Sequence, residues 1–165
     1  MVKNVFKKLG KKQKNNKGFS LVELIVVIAI MAVLVGVLAP QLIRYVEKSR
    51  EATDIQNCDS IATTLKSYFA DKENVKGTCV VTVTTAANAT LGTGASGFTA
   101  DEVNKALTAA GLNSTALKGN GWTPASITIT YDTSNGKVTY NASSDHYHAT
   151  NSPKIESGKA ATTTP

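Results

Sequence analysis

The sequence predicts an α+β protein in which the second half of one long N-terminal α-helix, over about residues 19–74, packs on a small antiparallel β-sheet head. Residues 19–40 form an apolar run with a single charge, and residues 41–74 contain no Pro or Gly and show helical spacing of apolar side chains. After residue 75 the composition changes to Thr, Ser, Gly and Val. A chain of 165 residues can bury one small core but not two large ones.

The positive charge of the chain is concentrated in its first residues. The formal net charge is +6, and seven lysines with no acidic residue precede Gly18, so that removing these lysines leaves the rest of the chain at −1. The basicity is therefore a property of a short polar arm, residues 1–18, which we interpret as a processing or retention segment outside the fold. This distribution argues against a nucleic-acid-binding protein.

The apolar run over residues 19–40 is long enough to cross a bilayer core of about 30 Å as a helix. Lysines before the run predict a single pass with the N-terminus inside and the C-terminus outside. Glu23 is the only charged residue within the run, and a charge at that depth is costly, which suggests a functional reason for it.

Residues 41–74 are predicted to continue the same helix in amphipathic form. Steps of three and four residues place one apolar stripe along it, formed by Leu42, Tyr45, Val46, Ile55, Cys58, Ile61, Ala62, Leu65, Tyr68 and Phe69. The charged residues between and opposite this stripe suit water or a charged neighbour, and they are Arg44, Glu47, Lys48, Arg50, Glu51, Asp54, Asp59 and Lys66.

The head is predicted over residues 75–155, followed by a flexible tail over 156–165. Residues 78–85 read as a strand, residues 99–111 as a short helix with a capping box and a glycine stop, and residues 126–142 as a hairpin turning at Asn135-Gly136. Large apolar residues are few here, so the core needs the helix stripe and the aromatic residues Trp122, Tyr131, Tyr140 and Tyr147.

Several weaker patterns favour plain surface roles. Asp145, His146 and His148 would need a fourth ligand to hold zinc, so a surface loop is the preferred interpretation. The glycines of residues 92–97 indicate a flexible loop, and the N-glycosylation patterns at Asn88, Asn113 and Asn141 mark exposure more than modification. No catalytic constellation stands out, so we expect no enzyme activity, no cofactor and no metal.

Cys58 and Cys79 would both lie beyond the membrane on the outer side, where a disulfide can persist. A bridge between them would tie the long helix to the first strand of the head. The alternative is a pair of buried or reactive free thiols, because sequence spacing alone does not show that two sulfurs meet.

Residues 17–40, KGFSLVELIVVIAIMAVLVGVLAP, resemble the N-terminal signature of type IV pilins and their pseudopilin relatives. The shared features are lysines, a Gly, the run Phe-Ser-Leu-Val-Glu and an apolar stretch with a Pro near its end. The resemblance implies the pilin fold. It also implies that a prepilin peptidase removes residues 1–18 by cutting between Gly18 and Phe19, and then N-methylates Phe19.

The resemblance also suggests roles for three residues of the apolar run. In the family the residue matching Glu23 is thought to neutralise the N-terminal amine of an adjacent subunit during assembly. Alternatively, Glu23 pairs with the amine of its own chain or is protonated at the bilayer interface. Gly36 and Pro40 are interpreted either as a simple kink or as a point of local unwinding in a filament, since proline removes a helical hydrogen bond.

Three functions remain open from the sequence. The first is a structural subunit of a type IV pilus, processed after Gly18 and polymerised with itself by an assembly platform and its ATPase, with roles in adhesion, motility, biofilm or DNA uptake. It would reside in the cytoplasmic membrane as a precursor and in an extracellular filament afterwards. The second is a pseudopilin of a type II secretion or competence system. The third is a binding module or enzyme that uses residues 19–40 only as an anchor.

Overall fold

The computed structural model describes residues 18–70, 72, 76–86, 90–91 and 99–158. The chain divides into two compact units, residues 1–41 and 42–165, which are described separately below. The described residues form two helices and six strands: α1 (Leu21–Ala70), β1 (Thr78–Thr84), β2 (Thr90–Leu91), α2 (Ala100–Ala109), β3 (Ser126–Asp132), β4 (Lys137–Ser143), β5 (Tyr147–Ser152) and β6 (Glu156–Ser157). The predicted α+β class is confirmed.

The described part of the first unit is the beginning of α1 and the three residues before it. Every large apolar side chain between Phe19 and Leu38 is exposed. The helix is long and apolar enough to cross a membrane. Exposure of such a surface to water is unfavourable, and the helix fits a membrane anchor.

The second unit contains one antiparallel sheet with the strand order β2-β1-β3-β4-β5-β6. The central strands β1 and β3 pair along their whole length, from Thr78 opposite Asp132 to Thr84 opposite Ser126. The predicted hairpin is confirmed as β3 and β4, and Gly136 adopts a positive φ of 68° in the turn between them. This conformation is one that glycine adopts without the steric cost of a Cβ.

One face of the sheet and the second half of α1 enclose the core. Alternate side chains of β1, β3 and β4 point inward, as period-two strands require, and Ile127 and Ile129 are completely buried. From α1, Ile61 and Leu65 are completely buried, and the Phe69 ring stacks on Tyr131 with centroids 6.3 Å apart. The predicted core role of Trp122, Tyr131 and Tyr140 is confirmed, and Tyr147 is partly buried against the same cluster.

The predicted helix α2 is confirmed, with Thr99 and Glu102 forming its capping box and Gly111 following its end with a φ of 71°. Its apolar residues Val103 and Leu107 are buried in the same core. The helix therefore covers part of the core that the small sheet leaves open.

Residues 41–70 are helical as predicted, but the burial along this part of α1 differs from the expected stripe. The first part of the apolar stripe, at Leu42, Tyr45 and Val46, is exposed. Glu51 and Asp54, expected to face water or a charged neighbour, are completely buried. Helical spacing correctly locates the buried face of α1 from Cys58 onward. It does not show that the apolar residues nearer the start of this segment lie outside the core.

The head extends further along the chain than predicted. His148, expected in a surface loop, belongs to β5, and Glu156–Ser157, expected in the flexible tail, pair with β5 as β6. Helix α1 is described to Ala70 against a predicted end near residue 74. The lysine-rich residues 1–17, the glycine-rich residues 92–97, Asn88 and the tail residues 159–165 lie outside the described residues.

Both cysteines are free thiols and are completely buried, Cys58 on α1 and Cys79 on β1. The structure therefore contains two buried free thiols and no Cys58–Cys79 disulfide. Burial raises the pKa of the Cys79 thiol to about 11, and burial together with the neighbouring Asp54 and Asp59 raises the pKa of Cys58 further. Both groups are thus held in the unreactive thiol form at neutral pH.

Candidate processing and assembly site

The N-terminus of α1 is closed by a local hydrogen-bonded cap. The Ser20 carbonyl accepts the first helical bond, from the Leu24 N–H at 3.1 Å. The Ser20 N–H in turn donates to Glu23 Oε2 at 2.9 Å. A serine before the helix whose backbone N–H is accepted by an acid three residues later is one half of a capping box.

The cap gives Glu23 a role within its own chain that the sequence interpretation did not include. The signal was present, because Ser20-Leu-Val-Glu23 has the Ser-x-x-Glu spacing of a capping box. An ionised acid in the first turn is also stabilised by the positive end of the helix dipole. Only Oε2 of Glu23 is engaged in the cap, and the side chain is exposed, so Glu23 can accept a further hydrogen bond.

Gly18 and Phe19 lie just before the cap and are both exposed, with Phe19 84% accessible. A Cβ added at Gly18 would have no heavy atom within 4 Å, so the fold itself does not require glycine there. Any requirement for a small residue at this position comes from a partner that approaches the backbone.

Helix α1 continues without interruption through Gly36 and Pro40. A Cβ at Gly36 would also meet no heavy atom within 4 Å, apart from the backbone of its own helix. Gly36 stands four residues before Pro40, where the proline ring would otherwise crowd the preceding turn. The helical state seen here leaves local unwinding at this point a prediction.

A group of acidic side chains joins α1 to the rest of the second unit. Three acidic residues lie along one face of the helix. We call Glu47, Glu51 and Asp54 the carboxylate row. The row contacts two segments of the head, residues 118–122 and the β4–β5 turn at residues 144–146.

Asp54 binds the segment 118–122 through three hydrogen bonds. Its Oδ1 accepts the Lys118 N–H at 2.8 Å, and its Oδ2 accepts the Gly119 N–H at 2.8 Å and the Trp122 indole N–H at 3.0 Å. Glu47 extends the row by accepting the Asn120 N–H. These bonds offset the desolvation cost of a completely buried carboxylate.

Glu51 binds the β4–β5 turn instead. Its Oε2 accepts a hydrogen bond from the Ser144 hydroxyl at 2.8 Å and lies 3.0 Å from His146 Nδ1. Its Oε1 is buried and has no hydrogen-bond partner among the described residues, since it lies against Gly121. A Cβ at Gly121 would be 2.3 Å from this oxygen, and one at Gly119 would be 2.7 Å from Glu51 Cγ. A Cβ at either position would therefore force the buried Glu51 side chain to shift.

One sequence signal of this arrangement is the pair of glycines and the tryptophan in KGNGW at residues 118–122. The partners are more than 60 residues away from the carboxylate row, so spacing did not reveal them. His146 and His148, considered together for zinc, have separate partners: His146 contacts Glu51, and His148 Nδ1 lies 2.8 Å from the Gly158 carbonyl. Among the described residues no group of side chains is arranged to hold a metal ion.

Two polar contacts fix other parts of the head to α1. Tyr140 donates to Asp59 Oδ1 at 2.6 Å, and burial together with this bond raises the pKa of the phenol. Lys72 donates to Glu102 at 2.7 Å, which raises the pKa of Lys72 and lowers the pKa of Glu102. The first contact joins α1 to the sheet, and the second joins the residues after α1 to α2.

Comparison with known proteins locates the similarity at the N-terminus. The prokaryotic N-terminal methylation motif matches residues 13–39. The type IV major pilin protein PilA of Myxococcus xanthus (strain DK1622) is 33% identical over 58 residues, which cover 35% of this chain and 26% of that protein. The prepilin peptidase-dependent protein A of Clostridium perfringens (strain 13 / Type A) is 38% identical over 64 residues, which cover 38% of this chain and 46% of that protein. The matches thus span less than half of each relative, and no solved structure matches this chain.

The methylation motif, the exposed apolar helix that it covers and the matched relatives support a prepilin protein of the pilin or pseudopilin kind. Such a motif implies processing by a prepilin peptidase and fits a membrane-anchored precursor. The α+β arrangement, with a long N-terminal helix and an antiparallel sheet, is consistent with the pilin fold. The motif and the two relatives support a type IV pilin-like protein.

Proposed function

We propose that this chain is the structural subunit of a type IV pilus. A membrane peptidase cuts between Gly18 and Phe19 and methylates Phe19. An assembly platform with its ATPase then moves the subunit from the cytoplasmic membrane into an extracellular filament of identical copies. The similarity to a protein named as a type IV major pilin supports a pilus over the pseudopilus of a secretion or competence system.

The observation that carries the proposal is the exposure of the apolar part of α1. The large apolar side chains from Phe19 to Val46 are all at least 41% exposed. Lipid covers this surface in the precursor, and the same helix of other subunits covers it after assembly. Keeping such a surface out of water is favourable by about 25 cal/mol per Å², so a subunit that leaves the membrane needs other subunits around this helix.

Glu23 gives the assembly step its charge specificity. Cleavage after Gly18 creates a positive amine at Phe19, at the end of a helix whose dipole disfavours positive charge. Glu23 Oε2 stays on the Ser20 N–H of its own chain. Its other oxygen is available for the amine of a neighbouring subunit, so capping and interchain pairing are compatible. In an apolar bundle each unpaired charge is costly, which favours copies placed with amine and carboxylate together.

The resulting fibre presents the heads to the medium, where adhesion, surface motility, biofilm formation and DNA uptake are the roles to test. Nucleic acid is a partner only through DNA uptake. The chain carries out no reaction in this proposal and takes no cofactor.

Two variants test the proposal at separate steps. Gly18→Val leaves the described fold intact, because nothing lies near that position, and is expected to block cleavage. Glu23→Gln keeps a side chain that can accept the Ser20 N–H but removes its charge. It is expected to be cleaved normally and to reduce filament yield by at least about tenfold, a loss of roughly 1.4 kcal/mol or more per pairing.

Mass spectrometry of the mature chain and electron microscopy of sheared surface material supply the readouts. A chain beginning at N-methylated Phe19 and long surface filaments are expected. An intact Met1 terminus would refute processing, and short filaments retained in the cell envelope would assign the chain to a pseudopilus. Wild-type filament yield from Glu23→Gln would refute charge pairing, with Glu156→Gln as the control for loss of an exposed carboxylate.

A further inference from the structure

A short segment at the start of the second unit has a composition that the filament function does not require. We call residues 42–48 the collar. In the described part of this unit, the large apolar side chains that are exposed all belong to the collar, namely Leu42, Ile43, Tyr45 and Val46. Tyr45 is 68% exposed, although a large aromatic side chain contributes most when it is buried in a core.

The collar also carries two positive charges without ion-pair partners among the described residues. Arg44 and Lys48 are exposed and stand one helical turn apart. The one acid of the collar, Glu47, accepts the Asn120 N–H and lies 3.7 Å from Arg50. The carboxylate is therefore already engaged, and Arg44 and Lys48 remain available for an anionic ligand.

The distance of the collar from the apolar run matches the depth of a headgroup layer. A bilayer core of about 30 Å takes about 20 helical residues, which residues 21–40 supply. The polar layers add about 5 to 7 Å on each side, or about four or five further residues of helix. Arg44 and Tyr45 fall within that interval. Lys48 lies about one turn beyond it, and its long side chain can reach back toward the membrane. Tyrosine, arginine and lysine are the residues that favour such interfaces.

We propose that the collar binds anionic phospholipid headgroups at the outer face of the membrane before the subunit enters a filament. This inference rests on the membrane-anchored precursor of the proposed function. Headgroup phosphates provide acceptors for Arg44 and Lys48, while the glycerol and upper acyl carbons cover Leu42 and Tyr45. A purely apolar partner helix would cover the same aliphatic surface but leave both cations desolvated and unpaired, at a high cost.

The collar differs from the lysine-rich arm of residues 1–18 in two ways. The arm precedes the apolar run and is removed when the chain is cleaved, whereas the collar follows the run and stays with the mature subunit. The seven lysines of the arm also outnumber the two free cations of the collar, so the N-inside orientation is retained.

The test uses the full-length precursor with Tyr45→Trp as a fluorescent probe, at one chain per lipid nanodisc. The discs contain phosphatidylcholine with a minority of phosphatidylglycerol, and bromine quenchers are attached to the upper acyl chain of one lipid or the other. Quenching by brominated phosphatidylglycerol is expected to exceed its mole share by about two- to fivefold at low salt. The excess should disappear in Arg44→Gln/Lys48→Gln and near 1 M salt.

A matched control removes the same charge elsewhere. Lys105→Gln/Lys154→Gln changes two exposed lysines of the head and should leave the excess quenching unchanged. Val46→Trp provides a second probe position in case Tyr45→Trp alters the helix.

Three other outcomes of the quenching experiment would contradict the proposal. Quenching equal to the mole share in the parent chain, at both probe positions, would refute lipid selection while leaving the membrane precursor intact. Absence of quenching by either lipid would refute the membrane placement and, with it, the precursor. Shielding of the probe from both lipids that depends on two chains per disc would assign the collar to a second copy of the chain.

Discussion

Asp54 is the residue of the carboxylate row whose removal should cost the head most. Asp54→Ala deletes the acceptor for two backbone N–H groups and the Trp122 indole N–H, at distances of 2.8, 2.8 and 3.0 Å. Hydrogen bonds to a charged group contribute about 1.5 to 3 kcal/mol each, and the three share one acceptor and are not additive. We expect a loss of about 3 to 5 kcal/mol in the free energy of unfolding, the range for breaking a buried charged contact.

The measurement is urea-induced unfolding of the full-length precursor in detergent, followed by near-ultraviolet circular dichroism. For a unit of this size the same loss lowers Tm by roughly 10 to 20 °C. Asp54→Asn keeps the shape and one acceptor oxygen but turns an NH₂ toward a donor, so it should lose about half as much. Glu156→Gln, at an exposed position, should stay within about 0.5 kcal/mol of the parent. A loss below about 1 kcal/mol for Asp54→Ala would show that the carboxylate does not hold the segment.

Three further predictions follow from the head. Gly121→Ala, whose Cβ would lie 2.3 Å from a buried carboxylate oxygen, should destabilise the head by about 1 to 3 kcal/mol in the same urea titration; an unchanged midpoint would contradict the close contact. Because the pKa of Glu102 is lowered and that of Lys72 raised, their contact should add stability that is lost as pH falls through the folded pKa of Glu102 or rises through that of Lys72. Glu102→Gln should flatten both changes, and identical pH profiles would contradict the pairing. Native chain at pH 8 should resist alkylation at Cys58 and Cys79, and mass spectrometry should find both labelled only after denaturation; rapid native labelling would show that the thiols are accessible.

The parts of the fold that the sequence predicts correctly are those that depend on local sequence patterns. The strand predicted over residues 78–85 is confirmed as Thr78–Thr84, α2 has the predicted capping box, and the β3–β4 hairpin turns at the predicted Asn135-Gly136. In each case the pattern that predicts the element lies within one short stretch of the chain. Local propensity and side-chain periodicity then agree with the final environment.

The parts that the sequence misses depend on distant partners. From the sequence, Glu51 and Asp54 suit water or a charged neighbour, because acids are rarely buried without a partner. The partners that bury them are 64 to 95 residues away in the sequence. Strand β6 is short and polar, so its composition resembles a disordered tail, and pairing with β5 is what orders it. Similarly, the exposure of Leu42 and Tyr45 follows from where the head ends, which the helical stripe does not encode.

The candidate site divides in the same way. Gly18, Phe19 and Glu23 belong to one continuous motif and are recognisable without a structure. The capping bond from Ser20 to Glu23 also follows from local spacing, because Ser-x-x-Glu is the pattern of a capping box. The interchain partner of Glu23 lies in another copy of the chain, so a single sequence can suggest it only by resemblance.

The carboxylate row determines which turn of α1 faces which part of the head. An apolar stripe such as Ile61, Leu65 and Phe69 discriminates weakly between registers, because a slip of one turn, about 5.4 Å, still buries aliphatic carbon. The same slip would bring Ile55 or Glu47 to the place of Glu51 and leave the donors of residues 118–122 and 144–146 facing the wrong side chains. The row therefore selects one axial position of the helix against the head. A pulling force along the axis of α1 is then resisted by directional hydrogen bonds as well as by apolar packing.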